Sequence, residues 1–548
     1  MARKHKGPLI GRVDLGRQVA ERAGGRAGGR TGRRGGGRAA RVAQRQEKGA
    51  SLAVRPGLTG GAFRPLSEAD IARIHEGALD LLETIGIGDP TDELNEIVLT
   101  KGCHLNEHGR LCFPRALIED VIAGACREYV VYARGSRSPD YDIRAGGRRV
   151  HFCTAGSAVT TFQYDTRTYR PATIVDIYDF VRLIDQLDNI HLVGQPVIAT
   201  DVKDLFAHDI SVLYAQISGT EKPLSMSFAD RSHIVPAIGF FDLVLGGEGR
   251  FLERPFVVFG GCPIVSPLRF GEENLGVLIE TSKLGLVSDI AVAPQAGATA
   301  PAPLAGTLVQ LAAETLACLA VVNLVTPGCP MTFAMWPLVS DLRTGSFSGG
   351  SGEEAVLAAA AVQIGKFYDL PNSVGASMSD SKIPDAQAGY EKGVTTALAA
   401  HAGCNRVCEA AGMLGSLMGC AFEQLVIDND MLGMVLRTVR GIEVTDETLS
   451  LDAIKEVALD PGHYLGHPQT LALMESEYLY PNVGDRTAPG AWEQEGSKDM
   501  LERAHEKVVE VLSSHYPNYI DAAADAEIRG RFPIKLPRKA MAAESGRW

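Results

Sequence analysis

From about residue 171 to 440 the chain repeats one pattern: a short apolar run suited to a buried strand, then a stretch with apolar residues at helical spacing. The candidate strands are 191–199, 223–228, 255–260, 288–293, 331–336, 372–378, 402–408 and 417–421, the last two less sharply bounded. Strands that alternate with helices argue for parallel βα units, and eight units are the number that closes a (β/α)8 barrel. The expected fold class is therefore α/β, a (β/α)8 TIM-type barrel. A doubly wound sheet is the runner-up, but no Gly-x-Gly-x-x-Gly follows a strand where that fold would hold a dinucleotide.

Ahead of the repeat, residues 56–170 read as an α+β preface. Leu66–Ile85 has helical spacing behind a Ser67 cap, Tyr129–Ala133 and Val150–Cys153 are strand-like, and Gly146-Gly147 marks a turn. Residues 441–548 read as a mostly helical extension, as in Asp499–His515, which opens on Asp499 and Glu502. Residues 1–55 differ in kind, with 15 Lys and Arg against 3 Asp and Glu, whereas the remainder has 39 against 63. The Gly24–Arg38 stretch of this leader has too few apolar groups to offset its ordering entropy, so residues 1–55 are expected to be disordered. Arg/Gly-rich segments bind nucleic-acid phosphates without sequence preference. A solubilising extension or a mis-assigned start site is the preferred account, and nucleic acid is not an expected partner. Arg33-Arg34 is followed by no apolar h-region, which argues against export.

The 548 residues are 45% hydrophobic and 22% charged, enough for a sizeable core. Ten cysteines are scattered with no Cys-x-x-Cys pair, which points to a reducing cytoplasm. The most membrane-like run, Leu304–Val325, is interrupted by Gln310, Glu314 and Asn323 and reads as a buried helix, with no membrane expected.

Chemistry concentrates where an apolar run ends at Met378. Asp380, Lys382, Asp385, Gln387, Tyr390 and Glu391 follow within one short stretch, more ionisable groups than a simple connection needs. A solvated strand-to-helix loop capped by Asp380 or Ser381 is the competing account. Other strand ends carry Gly260–Pro263, Pro294–Gly297, and Trp336-Pro337 with Asp341 and Arg343 beyond. Trp336 can offer a π face to a quaternary ammonium, or it can pack in the core. Asp428 and Asp430 suit helix-start carboxylates better than a site. His463 and His467 have zinc-pair spacing, but Pro461, Gly462 and Pro468 argue against one continuous helix and no third ligand is evident, so no metal is expected.

Three blocks, Gly297–Gln310, Ser379–Lys392 and Phe422–Asp428, closely resemble the trimethylamine methyltransferase family, in order, within a likeness spanning about residues 65–535. The resemblance implies a (β/α)8 barrel that passes a methyl group from a methylamine or quaternary amine to Co(I) of a separate corrinoid protein. On that reading this chain binds no cofactor tightly. Asp-x-x-His-x-x-Gly at 460–466 is one residue longer than the corrinoid-carrier signature, which agrees with that division. Met378 aligns with the pyrrolysine of archaeal trimethylamine enzymes, so the chain resembles the non-pyrrolysine branch, whose substrates include glycine betaine, proline betaine and carnitine. For such a substrate, placement at strand ends makes Trp336, Tyr390 and Phe228 the cage candidates, with Met378 and His463 also on the substrate side. Asp380, Asp385 and Glu391 would balance the cation, and Lys382, Gln387 or Arg343 would meet a substrate carboxylate. The expected partners are the corrinoid protein, a small quaternary amine and further copies of the chain. Trimethylamine itself, a barrel lyase or aldolase using Lys382 as a Schiff base, and a non-catalytic betaine-binding protein are the alternatives.

Overall fold

Seven short parallel strands form the central sheet of the computed structural model, which describes residues 53–154, 156–459 and 462–548. Their spatial order is Arg149–Phe152, Arg406–Cys408, Asn372–Gly375, Met331–Ala334, Ser288–Ile290, Val257–Gly261 and Leu224–Ser227, with Leu58–Thr59 antiparallel on the Arg149 edge. Met331–Ala334 and Asn372–Gly375 are buried at every residue, as strands covered on both faces are. The covering comes from the crossover helices, among them Ile174–Asp185, Leu304–Val325, Gly352–Phe367, Ala386–Ala402 and Phe422–Arg440. The sheet curls, and two single parallel bridges, Cys153 to Leu192 and Val193 to Leu224, join residues 192–193 to its two outer parallel strands. The fold is α/β. The leader lies outside the described residues except for 53–55.

The structure revises three strand assignments. Residues 191–199 make only isolated bridges, because Gly194 and Pro196 interrupt regular pairing. Within 402–408, Ala402 ends a helix, Gly403 turns the chain at φ 89°, and only Arg406–Cys408 pairs in the sheet. The 417–421 run contributes just Gly419–Cys420, to a separate four-stranded sheet with Thr160–Gln163. Conversely, Arg149–Phe152, read as part of the preface, lies in the central sheet beside Arg406–Cys408.

A hairpin of Tyr129–Val131 and Ile143–Ala145 closes the end of the sheet where the strands begin. The Tyr132 amide bonds to the Pro255 carbonyl just before one strand, and the Arg134 amide to Glu221 just before another. Tyr129, Val131, Ile143 and Ala145 pack on Leu192, Val258, Val287 and Cys408. The Tyr129 hydroxyl lies 2.6 Å from Thr332 Oγ1, and nearby Arg406 pairs with Asp289 at 2.6 Å.

Leu304–Val325 is an interior helix whose polar residues hold neighbouring loops. Glu314 accepts from Ser266 Oγ at 2.7 Å and the Leu268 amide at 2.8 Å, while Asn323 accepts from the Gly328 amide. In the extension, Met500–Ser514 starts on an Asp499/Glu502 capping box. Arg182 bonds to the Leu512 and His515 carbonyls at 2.8 and 2.6 Å, and the terminal Trp548 reaches Asp179.

Candidate active site

The turn after Asn372–Gly375 is built from hydrogen bonds inside one sequence block. Ser377 sits at φ 69° and Met378 is fully buried behind it. Glu391, one turn into the next helix, accepts from Ser379 Oγ at 2.7 Å, the Asp380 amide at 2.9 Å and Gln387 Nε2 at 2.9 Å. Asp385 caps Ala386–Ala402, accepting from the Ala388 amide at 3.0 Å and Ser381 Oγ at 2.8 Å. The cap is thus Asp385, not Asp380 or Ser381. Asp380 accepts from Ser348 Oγ at 2.7 Å, the Gly349 amide at 2.8 Å and Ser416 Oγ at 2.6 Å. It therefore ties together the loops that follow three adjacent strands.

These bonds place a loop over Met378. A Cβ on Gly349 would lie 2.7 Å from Met378 Cβ, and one on Gly350 would lie 2.6 Å from Glu391. Beneath, Gly375 leaves room for two side chains, since a Cβ there would be 3.1 Å from Trp336 Cε3 and 3.6 Å from Met378 Cε. Trp336 is half-buried and donates from Nε1 to Ser373 Oγ at 3.1 Å. Trp336 and Met378 are thus neighbours at the ends of adjacent strands.

Other candidates stand elsewhere. Phe228 is buried and stacked on Phe259 at 5.5 Å. Tyr390 is 62% exposed. Lys382 is exposed with Nζ on the Asp380 carbonyl. Arg343 forms a two-point pair with Asp341 at 3.0 and 2.7 Å on a cleft of about 380 Å³ that also includes Gly297, Ser348 and Glu353. His463 lies on the surface of the extension, and His467 caps the short helix Pro468–Leu473. Among the described residues no group of three or more His, Cys, Asp or Glu could hold a metal.

Behind the turn, Lys392 is fully buried, donates to the Ser377 carbonyl and pairs with Asp428 at 3.2 Å. Asp428 also accepts from the Gly412 amide and Gln424 at 2.8 Å each. Burial raises the Asp428 carboxyl, against the pull of Lys392. Asp428 is thus an interior ion-pair member rather than a helix-start carboxylate.

The sequence reading missed Glu409, the residue directly after Arg406–Cys408. It is 2% exposed, and its Oε2 has no hydrogen-bond partner among the described residues. Burial pushes its carboxyl up to about 8, with Lys392 pulling the other way. Across from it, the lack of a side chain at Gly156 lets Glu409 Oε2 and Met413 Cε pack directly against its backbone, since a Cβ there would collide with both. Cys262, at the end of Val257–Gly261, is reached by solvent, yet burial raises its thiol, with Glu409 the second cause. A carboxylate right behind a candidate strand was readable in the sequence. The false last strand at 417–421 made that stretch look like a connection.

A profile of the trimethylamine methyltransferase family (MTTB) matches residues 34–537. The trimethylamine methyltransferase MttB of Methanosarcina thermophila is 32% identical over 477 residues, covering 85% of this chain and 96% of that protein. The glycine betaine methyltransferase of Desulfitobacterium hafniense is 30% identical over 468 residues, covering 85% and 96%. Among solved structures, the Methanosarcina barkeri monomethylamine methyltransferase MtmB aligns with a TM-score of 0.44 at 13% identity, over 81% of this chain and 94% of that one. With the profile spanning most of its length and such relatives matched nearly end to end, the chain belongs to the trimethylamine methyltransferase family.

Proposed function

We propose that this methyltransferase moves a methyl group from a quaternary amine of the glycine betaine, proline betaine or carnitine type to Co(I) of a separate corrinoid protein. The observation that carries this reading is position 378. A methionine, fully buried and set against Trp336, stands where the resemblance puts pyrrolysine in enzymes for trimethylamine. A quaternary ammonium needs no covalent activation, since its leaving group is already a neutral tertiary amine. As the N–CH3 bond breaks, nitrogen keeps the electron pair and the methyl group passes to cobalt. The protein's part is to position and desolvate the cation, for which a tryptophan face and a thioether are suited.

The two single bridges around residues 192–193 support closure of the curled sheet into a (β/α)8 barrel, with strand ends forming the mouth. We keep the division into leader 1–55, preface 56–170, barrel core 171–440 and helical extension 441–548, with Arg149–Phe152 contributed by the preface to the barrel. Asp380 and Glu391 then shape the mouth and add negative charge, Asp385 caps the helix behind them, and Lys382, Gln387 and Arg343 remain the candidates for a substrate carboxylate. Lys382 is exposed, which does not suit a Schiff-base amine that burial must deprotonate. The ten free cysteines and the interior position of Leu304–Val325 support a cytoplasmic protein. Ile442, Val444, Leu459 and Leu465 are exposed apolar residues, and we assign their cover to a second copy of this chain. They begin just past Arg440, two residues after Thr438, whose hydroxyl lies 2.9 Å from His401 Nε2 just ahead of the strand Arg406–Cys408, so association at this strand-start end leaves the mouth open to the corrinoid protein.

Mixing the protein with a corrinoid protein reduced to Co(I) and a panel of betaines, carnitine and trimethylamine tests this by absorbance. Conversion to methyl-Co(III) with a quaternary amine is expected. Conversion with trimethylamine alone reassigns the substrate, and silence with every pair overturns the function.

A further inference from the structure

Glu409 faces Ala376 on the neighbouring strand end, two residues before Met378. The Ala376 amide bonds to the Cys408 carbonyl at 3.0 Å, and Ser377 Oγ donates to the Ala410 carbonyl at 2.9 Å, which locks the two strand ends side by side. On the other flank, the Ala410 amide bonds to the Cys153 carbonyl, bringing Glu409 toward Gly156. The backbone holds Glu409 at φ 59°, a left-handed conformation that strains a side-chain-bearing residue and collects at functional sites. The charged or titratable groups around it are Lys392 from Ala386–Ala402, Cys262 after Val257–Gly261, and Cys420. Lys392 is already matched by Asp428 and bonded to the Ser377 carbonyl. A buried carboxyl whose Oε2 lies unbonded against Gly156, with solvent reaching the neighbouring Cys262, is a charge lacking its counterpart.

A quaternary ammonium has no N–H to donate, so charge alone can answer it. A counter-charge that is neutral while the site is empty avoids leaving a bare ion in the interior. Resting on the function proposed above, we propose that Glu409 is the group that meets the substrate's ammonium, as a carboxylic acid before binding and a carboxylate after it. The O–H bond of the acid breaks, its electron pair stays on Glu409, and the proton leaves to solvent as the cation enters.

Titration calorimetry with tetramethylammonium, and glycine betaine in parallel, in two buffers of different ionisation enthalpy counts the protons. With the carboxyl at about 8, close to one proton is released per cation at pH 7, and affinity rises about tenfold from pH 7 to pH 9. In Glu409→Gln, release disappears and the pH profile is flat. The count is read on the wild-type protein, so a poorly folded variant does not leave the matter open. Cation binding without proton release, while the corrinoid assay still shows methyl transfer, overturns this role of Glu409 and leaves the function standing. Release that persists in Glu409→Gln overturns it equally. Absence of both cation binding and methyl transfer overturns the role together with the function.

Discussion

A buried ion pair and a buried lone carboxyl set opposite expectations for stability. Lys392 and Asp428 compensate one another in the interior, so Lys392→Met strands a buried carboxylate and is expected to cost about 3–5 kcal/mol in urea denaturation. The double variant Lys392→Met, Asp428→Leu recovers most of that loss, because both charges are then gone. Glu409 has no such mate among the described residues. Its folded carboxyl is raised to about 8, so between the ordinary carboxyl range and that value the folded state holds a proton that the unfolded chain has lost. Stability from this group is full in mild acid and declines by about 1.4 kcal/mol per pH unit as pH rises through that window. Glu409→Gln should flatten this decline, and melting curves from pH 5 to 9 with and without the substitution check it.

At the scale of elements, the turn between Asn372–Gly375 and Ala386–Ala402 separates a cap from a clamp. Asp385→Ala removes a helix cap and is expected to cost about 1 kcal/mol with methyl transfer retained. Asp380→Ala releases the loops carrying Ser348, Gly349 and Ser416, so methyl transfer should fall well beyond the accompanying change in melting temperature. Comparing single-turnover rates with thermal melts of the two variants distinguishes these roles. Much of this was legible in the sequence. The Ser67 and Asp499 helix starts rest on local capping chemistry, and the interior helix Leu304–Val325 follows from its polar interruptions. The strand–helix alternation gave the α/β class because its period is local too. What was not legible depends on contacts distant in sequence. Arg149–Phe152 is a central strand only because Arg406–Cys408 lies beside it, and Gly419–Cys420 looked like one because short apolar runs carry no mark of their partner. The same error hid Glu409. Trp336 and Met378 were found as strand-end residues, but their meeting over Gly375 belongs to the folded chain. Phe228 and His463 were chosen by type and position along the chain, and neither choice could register the stacking on Phe259 or the exposed surface of the extension.

On the barrel proposed above, the apolar arm starts at the strand-start end, away from the mouth, which lets self-association and methyl transfer be tested separately. Light scattering is expected to report an oligomer that Leu459→Ser with Leu465→Ser reduces to a monomer, with methyl transfer preserved. An unchanged assembly would refute the assignment of a second copy to that arm. The Tyr129–Ala145 hairpin has a consequence for the order of events. On the closed barrel and the function proposed above, this hairpin at the strand-start end would leave the demethylated amine one exit, with the docked corrinoid protein in front of it. Each turnover would then wait for the partner to step away before the spent amine can leave, and a large excess of corrinoid protein is expected to slow the cycle it feeds.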